Sequence, residues 1–184
     1  MPMQGKHLFW LFVPVAIVVI GDLLTKQLAL NYLFFPPRSL EVLPFLNLVP
    51  VWNPGISFGM LQNQGEWMPF ILGGFAFAVG VGLPVYARDW ERLPRLGAQA
   101  MAGGAFGNAL DRVFYGKVVD FIDLYAGQWH WPAFNVADMA ITCGAGMIVL
   151  ASVRESRQNR SSEAKGKTDS DKASDEASEG DGKG

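Results

Sequence analysis

Asp120 and Asp138 are the side chains best placed to do chemistry, because each carboxylate stands where its neighbours are apolar. Asp120 interrupts Val118-Val119-Asp120-Phe121-Ile122, a β-rich run in which a carboxylate is costly unless something uses it. Asp138 follows Asn135 by three residues; Asn135 has the character of a helix N-cap, which puts Asp138 in the first turn of an apolar helix. The spacing of 18 residues lets the chain double back and bring the two acids face to face. Carboxylates held so close cannot both ionise cheaply, so the pair keeps one proton. The ionised member can take a proton from water while its partner donates to a scissile carbonyl or leaving amine. This is aspartic-protease chemistry, and it needs neither metal nor cofactor. Spacing alone leaves Asp123 and Asp111 open as alternatives, and Asp138 by itself could serve only to complement the helix dipole.

A second protease chemistry would use Ser57 as nucleophile and Lys26 as base. It is disfavoured because Asp22, one helical turn from Lys26, should hold the lysine charged. The only histidines are His7 and His130, the latter between Trp129 and Trp131 in the manner of an interfacial aromatic belt. Cys143, the single cysteine, lies in an apolar run and reads as a small core residue, so no disulfide, metal site or reactive thiol is expected.

The elements that must position these groups follow from hydropathy. Leu8 to Ile20 is an unbroken apolar run whose helix should continue through Asp22 and Lys26 to about Leu30, long enough to span a bilayer. Asp22 and Lys26 share a face as an ion pair, either a boundary salt bridge with a snorkelling lysine or one wall of a site. Residues 31–66 are broken by Pro36, Pro37, Pro44, Pro50 and Pro54 into short extended pieces, a small extramembrane β-structure with a turn at Asn53-Pro-Gly55. Trp67 to Tyr86 is the clearest span, 20 residues without a charge. Leu96 to Leu110 is the weakest: its small residues allow close packing, and Gly104, Asn108 and Arg112 fall on one face at steps of four. A last span runs from about Phe134 to Val153. Lys6, the Arg88–Arg95 loop and Arg154–Arg160 on one side give both termini a cytoplasmic address and gather Asp22, Arg112, Asp120 and Asp138 at the other face.

The expected fold is therefore a mainly α membrane protein, with four transmembrane helices and a small periplasmic-side β-structure at about 31–66. Residues 1–153 form the membrane domain. Residues 154–184 hold 7 of the 15 basic and 8 of the 17 acidic residues with no aromatic, a composition expected of a disordered charged tail. The body has no basic patch interleaved with aromatics, which argues against nucleic acid as a partner.

Five motifs in order resemble lipoprotein signal peptidase, the bacterial type II signal peptidase family. They are Asp22-x-x-Thr25-Lys26, Asn53-x-Gly55-x-Ser57-Phe58, Gly103-Gly-Ala-x-Gly-Asn108-x-x-Asp111-Arg112, Val118-Val119-Asp120-Phe121 and Phe134-Asn135-x-Ala137-Asp138. The resemblance covers roughly residues 8–153 and implies that Asp120 and Asp138 are the catalytic dyad. It further implies that Asn53, Gly55, Gly104, Asn108, Arg112 and Asn135 line or brace the site, with Asp22 and Lys26 supporting it from the first helix. The implied activity is cleavage of prolipoproteins just before a diacylglyceryl-modified cysteine, in the inner membrane, with membrane lipid as surroundings and globomycin as inhibitor. A single copy of the chain is expected to suffice. The rival class is a small transporter or assembly factor in which Asp22, Asp138 and Arg112 relay protons or ions; the apolar cytoplasmic half of the helices argues against it.

Overall fold

The computed structural model describes residues 5–55 and 67–180. The chain divides into two compact units, Met1–Ile148 and Val149–Gly184. The first is mainly helical. Its elements are helix α1 (Gly5–Leu33), strands β1 (Leu40–Leu43) and β2 (Leu46–Asn53), helices α2 (Met68–Tyr86) and α3 (Arg92–Tyr115), strands β3 (Val118–Ala126) and β4 (Trp129–His130), and the start of helix α4 (Val136–Gly180). Ser57 lies outside the described residues.

Three stretches are long and apolar enough to cross a membrane: Phe9–Leu33, Met68–Asp89 and Val136–Gln158. Helix α3 is long enough but too polar to join them by hydropathy. Its small residues explain how it is nevertheless accommodated, since Ala98, Ala102, Gly103, Gly104, Ala105 and Gly107 are all buried against neighbouring elements. At Gly103 a side chain would strike Val18 of α1, and at Gly104 it would strike the Ala137 carbonyl and Ile141 of α4. Close backbone approach of this kind is available only to residues without bulk. The polar Gln99 is satisfied within the bundle, its Nε2 donating to the Leu11 carbonyl at 2.9 Å near Pro14.

The β-structure expected between residues 31 and 66 is present but is completed from later in the chain. The antiparallel sheet has the order β1-β2-β3-β4. In the β2–β3 pairing Asn53 faces Val118, Trp52 faces Val119 and Val51 faces Asp120. The register shifts between Leu48 and Val51, where Pro50 has no N–H to give to the ladder. That extra residue brings Asn53 onto the same face as Asp120. Phe134 then pairs with Ile122 on the other edge of β3, with N–H to carbonyl distances of 2.9 and 3.0 Å in the two directions. The hairpin thus returns the chain beside its own start, and α4 begins next to Asp120.

One apolar cluster fastens the sheet to the end of α1. Ala29, Leu30, Leu33 and Phe34 pack with Val119 and Phe121, and Trp52 and Val136 lie against them. Each fully buried large side chain among them contributes on the order of 1.5–3 kcal/mol by leaving water.

Two expectations are corrected. Cys143 is exposed rather than buried, because an apolar helix meant for lipid can turn small residues outward as readily as inward. The stretch after Arg154, read from composition as a disordered tail, continues as helix to Gly180. Extending a helix costs one residue's freedom per hydrogen bond, far less than starting one, and Ala, Glu, Lys, Arg and Gln are good helix formers.

Candidate active site

Asp120 is fully buried on β3, and Asp138 is half-buried in the first turn of α4. Three asparagines join them. Asn135 caps α4 through its Oδ1, which accepts the Asp138 N–H at 3.0 Å, while Asp138 Oδ2 accepts the Asn135 N–H at 3.2 Å. This reciprocal arrangement is a capping box built with an aspartate. The Nδ2 of the same Asn135 donates to Asp120 Oδ1 at 2.7 Å, so one side-chain amide links the Asp120 carboxylate to the Asp138 backbone. Asn53 Nδ2 donates to Asp120 Oδ2 at 2.8 Å, and Asn108 Nδ2 donates to Asp138 Oδ1 at 2.8 Å.

Beneath these amides lies a buried ion cluster. Lys26 Nζ is 2.7 Å from Asp22, 2.9 Å from Asp111 and 2.9 Å from Asn108 Oδ1. Only 2% of Lys26 is exposed, so it does not snorkel to the membrane surface. The two acids of the cluster use their remaining capacity on backbone: Asp22 Oδ1 accepts the Ala137 N–H at 2.8 Å, and Asp111 Oδ2 accepts the Val119 N–H at 3.0 Å. Each anchored amide belongs to the residue just before one of the paired carboxylates. A cluster made by α1 and α3 therefore sets the backbone positions of Asp120 and Asp138 together.

The remaining expected residues fall around this centre. Gly55 has φ +87°, a left-handed conformation, and its N–H bonds Asn53 Oδ1 at 2.8 Å. That turn holds the Asn53 amide toward Asp120 and leaves room for the Arg112 guanidinium, which a side chain at Gly55 would crowd. Arg112 Nη1 donates to the Asn108 carbonyl at 3.1 Å, and its buried Nε has no partner among the described residues. The guanidinium acts electrostatically on Asp138, Asp111 and Asp120. Gly104 allows α4 to sit close enough for Asn108 to reach Asp138.

Asp123 points the other way, as its odd spacing from Asp120 on a strand requires. It bonds Asn47 Nδ2 at 3.1 Å and lies 2.9 Å from His130 Nδ1, whose ring stacks on Tyr125. His130 is thus a clasp of the β3–β4 hairpin as well as a neighbour of exposed Trp129 and Trp131. Asp111 is the contributor that sequence reasoning passed over, having been weighed only as a rival acid. Its place one residue before Arg112 gave no hint of a bond to β3.

Burial, and then the negative charge of Asp138, push the Asp120 carboxyl up to about 6, against the pull of the Asn53 and Asn135 hydrogen bonds and the Lys26 charge. Asp120 is accordingly the group that holds a proton into the mildly acidic range. Asp138 lies at the positive end of a helix and accepts two N–H donors. Such a pair can supply an acid and a base to one reacting centre. Beside Asp138 opens an apolar cavity of about 410 Å³, lined by Phe134, Met139, Thr142 and Trp131 among others. No cluster of His, Cys, Asp and Glu suited to a metal ion occurs among the described residues.

Comparison with known proteins identifies the family. A family model described as signal peptidase (SPase) II matches residues 14–154. The lipoprotein signal peptidase of Vibrio parahaemolyticus is 38% identical over 157 residues, covering 83% of this chain and 90% of that protein. That of Paraburkholderia phymatum is 40% identical over 162 residues, covering 86% of this chain and 96% of its own. Two solved bacterial membrane enzymes, determined by the in meso method, match with a TM-score of 0.63 each and sequence identities of 28% and 29%. They cover 84% and 81% of this chain, and 91% and 93% of their own lengths is matched.

Proposed function

Because the chain belongs to the signal peptidase II family, multi-pass membrane proteases of aspartic type that remove signal peptides from prolipoproteins, we propose that Asp120 and Asp138 are its catalytic pair. The observation that carries this reading is that Asn135 bonds both acids, its Nδ2 donating to the Asp120 carboxylate on a buried strand and its backbone N–H to the Asp138 carboxylate at a helix start.

Hydrolysis then runs as follows. Asp138 takes a proton from water as the water oxygen attacks the scissile carbonyl carbon. Asp120 gives its proton to the carbonyl oxygen, producing a neutral tetrahedral diol. Collapse of the diol breaks the C–N bond: the proton gained by Asp138 passes to the leaving amine, and one diol hydroxyl returns its proton to Asp120 as the carbonyl re-forms. Asn53, Asn108 and Asn135 hold the two carboxyl groups in register, and Arg112, whose Nε is unused, binds a substrate carbonyl. Gly55 and Gly104 give the room these groups need, while Asp22 and Lys26 brace the backbone at Asp138.

The substrate is cut on the N-terminal side of a diacylglyceryl-modified cysteine, and the apolar cavity beside Asp138 suits its lipid or the signal helix. Globomycin blocks the enzyme by occupying the space between the two acids. Residues 1–153 constitute the peptidase, with α3 as a fourth spanning helix shielded by its neighbours. The Arg88–Arg95 loop and the arginines after Val153 keep both termini in the cytoplasm, which sets the pair at the periplasmic face of the inner membrane. One copy of the chain suffices, since every group named comes from it.

Purified full-length protein, given a diacylglyceryl-modified prolipoprotein, tests the assignment. Asp120→Asn and Asp138→Asn are each expected to lower kcat by about a thousandfold or more, and Asp123→Asn to stay near wild type. Near-normal cleavage by a folded Asp120→Asn or Asp138→Asn protein would exclude the pair and turn attention to Ser57 and Lys26.

A further inference from the structure

A second cavity lies at the opposite end of the helices from Asp120 and Asp138. It has a volume of about 540 Å³ and is bounded by Trp10, Arg88, Asp89, Arg92, Arg95 and Gln99. On α1, Pro14 at its edge and Lys26 of the ion cluster are 12 residues apart, about 18 Å along a helix. It therefore cannot take part in the proteolytic site. The signal peptidase reading gives it no role.

Its charges are unbalanced. Three guanidinium groups face one carboxylate, and that carboxylate is occupied: Asp89 Oδ2 lies 3.0 Å from Arg88 Nε. Arg95 Nη1 reaches only a neutral acceptor, the Arg88 carbonyl at 3.3 Å. Arg92 has no hydrogen-bond or ion-pair partner among the described residues. Glu91, at the N-cap of α3, is exposed and makes no side-chain cap hydrogen bond, and since Pro94 has no N–H and Arg95 N–H bonds the Glu91 carbonyl, only the N–H groups of Arg92 and Leu93 lack a cap beside these arginines.

The other wall is apolar and aromatic. Trp10 is 68% exposed, and the rings of Tyr86 and Trp90 meet edge to face at 5.7 Å nearby in the chain. Pro14 and Leu96 line the cavity, and along α1 the exposed Ile17 and Ile20 continue an apolar surface away from it. Arginine and tryptophan together mark headgroup depth in a bilayer, with apolar helix beyond for acyl chains. A soluble anion would make no use of that apolar surface. A zwitterionic headgroup would bring a cation against the unpaired Arg92 and Arg95.

We propose that this cavity is a headgroup site for one anionic phospholipid, its phosphate held by Arg92, Arg95 and Arg88 at the open start of α3. The guanidinium groups supply forked donors to the phosphate oxygens, and Trp10 packs on the glycerol region. The acyl chains follow the apolar surface of α1.

Native mass spectrometry of the full chain in detergent, titrated with phosphatidylglycerol or with phosphatidylcholine of the same chains, tests this. Wild type is expected to take up its first phosphatidylglycerol about tenfold more tightly than phosphatidylcholine. The double variant Arg92→Gln/Arg95→Gln should bring the two lipids to within about twofold, while Arg92→Lys/Arg95→Lys keeps most of the preference. Millimolar inorganic phosphate should leave the bound lipid in place. Equal affinity of wild type for the two lipids overturns the proposal without any variant, as does full preference in the Gln/Gln protein. Displacement by inorganic phosphate would make the site one for a free anion.

Discussion

Replacing Asn53 by alanine should move the pH dependence of cleavage to higher pH. In the wild type the Asn53 amide donates to Asp120 Oδ2 at 2.8 Å, a bond stronger to the ionised carboxylate than to the acid, and so it holds the Asp120 pKa down toward its value of about 6. A hydrogen bond to a charged group is worth about 1.5–3 kcal/mol, and at half-buried Asn53 water replaces part of it, leaving about 1.4 kcal/mol or one pH unit. The sign follows directly. Asp120 must be protonated to act as the acid, so kcat/KM is full below its pKa and is lost as pH rises through it. Wild type should therefore show an alkaline limb with an apparent pKa near 6, a value belonging to the coupled pair, and Asn53→Ala should shift that limb upward by about one unit. The assay is initial-rate cleavage of a diacylglyceryl-modified prolipoprotein from pH 4.5 to 8.5, values chosen to span about two units on either side of the limb. Overall activity will fall as well, because Asn53 also anchors the Gly55 turn; the position of the limb, not its height, is the readout. A limb that stays put or moves to lower pH would refute the argument that Asp120 is the proton donor tuned by Asn53.

Other perturbations separate bracing from chemistry. Lys26→Met removes the cation between two buried carboxylates and should cost about 3–5 kcal/mol, read as a large drop in thermal unfolding temperature in detergent; an unchanged melting curve would mean the cluster is not structural. Gly104→Ala forces a methyl group against the Ala137 carbonyl and should displace Asp138, lowering kcat at least tenfold. Gly74→Ala, which meets open space, is its control and should cleave normally. Asn135→Ala should lose about 1 kcal/mol of capping and about a hundredfold or more in kcat, since the Asp120 carboxylate and the Asp138 N–H both lose their side-chain partner; a variant within threefold of wild type would show the amide to be dispensable. His130→Ala breaks the clasp on the far face of β3 and should leave cleavage within a few-fold of wild type.

What could be read from the chain beforehand was whatever depends on neighbours in sequence. The Asp22–Lys26 pair follows from helix periodicity, and the Asn135–Asp138 cap from the spacing of a helix start. The Gly/Ala face of α3 foretold close packing, and the turn at Pro54-Gly55 foretold a positive φ. Long-range partners were not legible. Nothing local says that Asp111 reaches the Val119 N–H or that Asp22 reaches Ala137, 115 residues away, because side-chain pattern carries no register between distant elements. The choice between Asp120 and Asp123 shows the boundary well. Alternation along a strand says that they face opposite ways, but only the pairing of β2 with β3 says which one meets Asn53. Cys143 was misjudged by applying the habits of soluble cores to a helix whose solvent is lipid.

Asp120 holds a proton first because it is buried and then because Asp138 stands beside it. Carbon-13 NMR of the full chain, with labelled aspartate carboxyl groups and Asp120 assigned by loss of its signal in Asp120→Asn, reads that proton directly. The account predicts an Asp120 signal that titrates near pH 6 in the wild type and at distinctly lower pH in Asp138→Asn, where the neighbouring charge is gone. An Asp120 signal that titrates at the same pH in both proteins, or stays ionised throughout, would contradict it.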